Sequence, residues 1–68
     1  MTVKLIINGL EKEFENGVSM VRIIEILQIE GKVMAAAVNM QIIKKENWED
    51  FKPQENDKIE LLQFVGGG

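Results

Sequence analysis

The chain has 68 residues, 46% of them hydrophobic, and carries 8 Lys and Arg against 11 Asp and Glu for a formal net charge of −3 at pH 7. That length holds one small core with no room for a second, and the acidic balance argues against nucleic acid, whose phosphates demand a basic face. Cys and His are both absent, which removes disulfides, thiolate and imidazole metal ligands, a cysteine nucleophile and imidazole acid–base chemistry together.

Thr2 to Asn8 alternates, with Val3, Leu5 and Ile7 on one face and Thr2, Lys4, Ile6 and Asn8 on the other, which predicts a half-buried strand. Asn8-Gly9 then signals a tight hairpin turn, because both residue types tolerate positive φ, and Glu11 to Glu15 reads as a polar edge strand. Asn16-Gly17 breaks that strand. Ser19 follows as an N-cap, with Val18 and Ile23 at the two staple positions around it. Met20, Ile23, Ile24 and Leu27 recur at helical spacing and predict one amphipathic helix over Met20 to Gln28, stopped near Gly31.

Two short strands are expected next, over Ala35 to Asn39 and Gln41 to Ile43, with Asn39-Met40 turning between them. Charged residues surround Trp48, Pro53 interrupts regular structure, and Glu55-Asn56-Asp57 makes a turn. The last strand is predicted over Lys58 to Val65, with Ile59 and Leu61 on one parity and Lys58, Glu60, Leu62 and Phe64 on the other. The order β-β-α-β-β-β folds most economically as an α+β roll of β-grasp type. In it a mixed sheet carries one main helix on one face, packed on Val3, Leu5, Ile7, Ile59 and Leu61. A single domain over residues 1–65, with a flexible C-terminal glycine tail over 66–68, is the expected organisation. With no apolar run near the roughly 20 residues that cross a bilayer, and no signal-peptide pattern, the expected location is cytoplasmic.

Gly66-Gly67-Gly68 carries the most information about function. Glycine lacks a side chain and loses the most entropy on ordering, so such a run should stay mobile and narrow. Three extended residues reach on the order of 10 Å at about 3.3–3.6 Å each, enough to carry the Gly68 carboxylate into a partner's active site. The plainer alternative is an inert, frayed end. Leu62 and Phe64 share the face opposite the helix, beside Ile6 if the first and last strands are neighbours, and form a candidate docking patch. Trp48 reads as a cover over one end of the core, its indole N–H satisfied by a carbonyl, in preference to a binding hot spot. Glu11, Glu13 and Glu15 read as a solvated negative edge that discourages strand addition, and not as a metal or acid–base site.

Ala37-Val38-Asn39, Ile42-Ile43, Lys45, Trp48, Asp57, Ile59 and Val65-Gly66-Gly67-Gly68 together resemble the ThiS family, the sulfur carriers of thiamine biosynthesis. Two positions depart mildly from the family pattern: Lys45 stands where arginine is usual, and Asn56-Asp57 where Gly-Asp is usual. The resemblance implies a ubiquitin-like β-grasp fold and a carrier acted on by enzymes, instead of an enzyme. It implies that a ThiF-like adenylyltransferase uses ATP and Mg²⁺ to adenylate the Gly68 carboxylate. Persulfide sulfur, from a cysteine desulfurase or sulfurtransferase, then displaces AMP to leave a thiocarboxylate for thiazole synthase (ThiG). Gly66 and Gly67 would give access, Ile6, Leu62, Phe64 and Val65 would meet partners, and the chain itself would bind no cofactor or metal. The small subunit of molybdopterin synthase shares this architecture, but the short length and the Asn39 to Trp48 pattern favour the thiamine branch. A ubiquitin-like modifier that forms isopeptide bonds to lysines is the reading from a different class.

Overall fold

A computed structural model describes residues 1–63. Strand β1 (Thr2–Ile7) buries Val3, Leu5 and Ile7 and turns through Asn8 and Gly9, at φ 50° and 85°, into β2 (Leu10–Glu15). The expected turn residues thus hold the positive φ values that a two-residue hairpin requires. Pairing starts one residue earlier than the polar pattern indicated, with Ile7 opposite Leu10, and runs to Thr2 opposite Glu15. Phe14 is the one buried residue of β2, opposite Val3 in the core.

Helix α1 (Met20–Ile26) begins where the cap residue is expected. Ser19 is extended, its Oγ accepts from the Arg22 N–H at 3.2 Å, and Val18 and Ile23 are both buried beside it. The amides of Met20 and Val21 donate to the carbonyls of Phe51 (2.9 Å) and Trp48 (3.2 Å), so the connection before the last strand finishes the helix start. Met20, Ile23 and Ile24 are buried, and Leu27 packs partly buried against the same core.

The helix ends earlier than expected, and not at Gly31. Leu27 caps it and Gln28 takes the left-handed conformation at φ 61°. The Gln28 N–H donates to Glu25 and the Ile29 N–H to Ile24, the pairing of a Schellman motif, with Ile29 folded onto the core. Glycine usually occupies that position because a side chain is strained there. Gln28→Gly is therefore expected to stabilise the protein by about 0.5–1 kcal/mol, read as a higher denaturant midpoint at unchanged slope.

Strand β3 (Val33–Val38) starts earlier than expected, because a bulge between Val33 and Ala35 lets Val33 face the core while Met34 stays exposed. Asn39 (φ 50°) and Met40 (φ 71°) form a second two-residue turn into β4 (Gln41–Ile43). Asn39 thus belongs to the turn and not to the strand. A 3₁₀ turn over Lys45–Asn47 follows and delivers Trp48 to the core edge. Trp48 is buried and its Nε1 donates to the Ile43 carbonyl at 2.9 Å, the covering role expected of it.

Strand β5 (Lys58–Gln63) completes a five-stranded sheet of order β2-β1-β5-β3-β4. β1 and β5 run parallel at its centre, and the other neighbouring pairs are antiparallel. Ile59 and Leu61 are buried with Val3, Leu5 and Ile7 beneath the helix, and Lys58, Glu60 and Leu62 are exposed, so the predicted strand faces hold from Lys58 to Leu62; Phe64 and Val65 lie outside the described residues. This is the mixed sheet with one helix of a β-grasp fold.

Candidate functional site

The site is built around β5. Its backbone hydrogen-bonding directions alternate: the Lys58 carbonyl accepts from the Asn39 N–H on the β3 side, and the Ile59 carbonyl accepts from the Asn8 N–H on the β1 side. Two asparagine side chains complete this pattern from opposite sides. Asn39 Oδ1 accepts from the Lys58 N–H at 3.0 Å, and Asn8 Oδ1 accepts from the Leu61 N–H at 2.9 Å while its Nδ2 donates to the Leu61 carbonyl at 3.4 Å. Each is the first residue of a two-residue turn, a position that asparagine tolerates at positive φ. Asp57 ties the start of β5 down further, its carboxylate accepting from Asn39 Nδ2 at 3.0 Å and from the Gln54 N–H at 2.8 Å. Read as turn formers alone, Asn8 and Asn39 give no sign of the contacts they make with β5.

The helix-free face of the sheet carries the candidate docking residues. Leu62 is 59% exposed, and Ile6 is half-buried on the same face. They are not adjacent. Ile6 stands opposite Lys58, which places Leu62 about 13 Å further along β5 at about 3.3 Å per residue. Ala35 lies opposite Leu62, Glu60 opposite Ala37, and Ile42 opposite Ala37 on the next strand.

The face thus holds two shallow depressions. One, of about 400 Å³, lies among Asn8, Ala35, Ala37, Ile42 and Leu62; the other, of about 440 Å³, lies among Ile6, Met40 and Lys58; Glu60 borders both. Of the members that the docking patch expected from the sequence lacks, Ile42 and Met40 are the large exposed ones, at 69% and 91%. The two-residue turn at Asn39-Met40 was the signal that could have found Ile42, since it forces the pairing with Ala37.

Charge is distributed unevenly over the same face. Glu11, Glu13 and Glu15 lie exposed along the outer strand β2, with Lys4 Nζ 3.8 Å from Glu11 Oε2. The apolar residues gather on the β5, β3 and β4 side. Among the described residues no group of Asp and Glu is arranged to hold a metal ion, and no helix is long and apolar enough to cross a membrane. The remaining candidate residues, Phe64, Val65, Gly66, Gly67 and Gly68, lie outside the described residues.

The fold defines a ubiquitin-like β-grasp protein. It matches the crystal structure of the thiamine biosynthesis protein ThiS from Geobacter metallireducens with a TM-score of 0.76, covering 97% of this chain and all (100%) of that one at 20% identity. The sequence model of the ThiS family matches residues 3–68, and the chain belongs to that family. It is 39% identical over 41 residues to the sulfur carrier protein ThiS of Bacillus subtilis (60% of this chain, 62% of that protein). It is 32% identical over 62 residues to the uncharacterized protein ycf40 of Trieres chinensis (91% and 85%). It is also 29% identical over 66 residues to a thiazole synthase of Paramagnetospirillum magneticum, a match that takes 97% of this chain but only 20% of that protein's length.

Proposed function

We infer that this chain is the sulfur carrier for thiazole formation in thiamine biosynthesis, and that its working group is the Gly68 carboxylate. The family match through the terminal glycines carries the reading. The name of the Bacillus subtilis relative supports sulfur carriage, and that of the Paramagnetospirillum magneticum relative supports thiazole synthase as the acceptor. A backbone carboxylate also explains how a chain without Cys or His takes part in sulfur chemistry.

A carboxylate is a poor electrophile because its charge is delocalised over two oxygens. In the reaction proposed, a ThiF-like partner holding ATP and Mg²⁺ lets a Gly68 oxygen attack the α-phosphorus, releasing pyrophosphate and leaving an acyl adenylate. The terminal sulfur of a persulfide then attacks the acyl carbon and AMP departs. A thiol reduces the resulting acyl disulfide, and the thiocarboxylate passes to thiazole synthase. Gly66 and Gly67 keep this path narrow, since any side chain there widens the tail. Ile6, Leu62, Phe64 and Val65 hold the partner, in the cytoplasm. The chain acts as a co-substrate, with ATP and Mg²⁺ bound by the partner.

Pyrophosphate exchange into ATP tests the first step. The full chain is expected to support exchange with the ThiF-like enzyme, and a chain ending at Gly66 is expected to support none. Equal exchange by the two would remove Gly68 from the reaction.

A further inference from the structure

Strand β1 accompanies β5 only as far as Ile7, opposite Ile59, and then turns away into β2. The Asn8 N–H still reaches the Ile59 carbonyl at 2.9 Å. Past that point, the hydrogen bonds from this side of the sheet to β5 among the described residues are those of the Asn8 side chain to Leu61. A primary carboxamide offers the same donor and acceptor as a peptide group. Asn8 therefore extends β1 by one link while the main chain departs. On the other side, β5 past Leu61 pairs with β3 at Ala35 and Val33, where the bulge interrupts the register. Without the carboxamide, the backbone of β5 past Ile59 would, among the described residues, be hydrogen-bonded from the β3 side alone.

We propose that Asn8 is a positioning residue for the carrier reaction: clasped to both backbone groups of Leu61, it holds the end of β5 in the sheet as the anchor from which the chain presents the Gly68 carboxylate to the adenylating centre. The proposal rests on the carrier reading above. Reacting atoms must be held close and aligned, and small misplacements from distant changes lower turnover strongly. Asn8 also borders the depression beside Leu62, so docking and positioning are told apart by kinetics and not by place. The apolar side chains set how well the partner holds the chain, and the Asn8 clasp sets how often the end of β5 is in place in the bound chain. Loss of the clasp therefore lowers kcat and leaves KM in place.

Two variants separate this role from turn formation. Asn8→Gly keeps a residue that accepts φ 50° but removes the carboxamide, and Asn8→Asp keeps the oxygen that accepts from the Leu61 N–H. Each is measured for Leu61 amide hydrogen exchange, melting temperature, and kcat and KM in pyrophosphate exchange with the ThiF-like enzyme. N8G loses both side-chain hydrogen bonds to Leu61 and is expected to remain folded, to exchange the Leu61 amide about tenfold faster, and to lose about tenfold in kcat at unchanged KM, most of it from the shorter bond to the Leu61 N–H. N8D is expected to keep Leu61 protected and to retain most of the wild-type kcat. Either variant with Leu61 unprotected and kcat intact overturns the positioning role, as does Leu61 protected with kcat lost. A rise in KM alone would make Asn8 a contact residue and overturn it too. A wild-type chain that supports no exchange overturns the carrier reading, and the positioning role with it.

Discussion

Leu5→Ala is expected to cost about 2–5 kcal/mol, the range for truncating a buried leucine where the surroundings only partly collapse. Leu5 is fully buried (0% exposed) on the central strand pair, in one cluster with Met20 and Ile23 of the helix and Ile59 of β5. Stabilities of about 0.05–0.15 kcal/mol per residue give a chain of this size about 3–10 kcal/mol, so the substitution should remove roughly half of it. Equilibrium urea denaturation measures the loss. A change below about 0.5 kcal/mol, the level typical of surface positions, would contradict the placement of Leu5 at the centre of the core.

Leu62→Glu should do the opposite. With 59% of its surface exposed on the helix-free face, Leu62 contributes little to folding, and the melting temperature is expected to stay within a few degrees of wild type, about ±0.5 kcal/mol. Placing a carboxylate in an apolar contact desolvates a charge without a partner. Affinity for the ThiF-like enzyme is therefore expected to fall by about 10- to 100-fold. Titration calorimetry on the folded variant reads the difference. Unchanged affinity would exclude the depression between Leu62, Ala35 and Ile42 from the docking face, and a large stability loss would mean that Leu62 supports the core.

The two substitutions differ because of strand parity, and parity was legible from the sequence. Val3, Leu5 and Ile7 alternate cleanly, as do Ile59 and Leu61, so the buried faces of both central strands could be read without knowing how they pair. The helix start was equally legible, since Ser19, Val18 and Ile23 are local signals at fixed spacing. Its end was not, because Gln28 occupies the left-handed position where a glycine is the usual marker. The start of β3 was hidden by the bulge at Met34, which breaks the alternation a strand should show.

The candidate site was legible in part for the same reason. Periodicity places Ile6 and Leu62 on one face, but their separation follows from the register of a parallel pair joined across most of the chain, which no local pattern encodes. The asparagine clasps are longer in range still. Asn8 and Leu61 are 53 positions apart, and the side chain that forms the turn is also the one that holds the last strand. Local rules assign such a residue one role, and the fold gives it a second.

Intact-mass analysis of the chain after incubation with the ThiF-like enzyme, ATP, Mg²⁺, a persulfide donor and a thiol tests the sulfur-carrier reading most directly. A gain of about 16 Da is expected, sulfur in place of one oxygen, localised to Gly68 and absent from a chain ending at Gly66. An unchanged mass, or the same gain in the shortened chain, would contradict it.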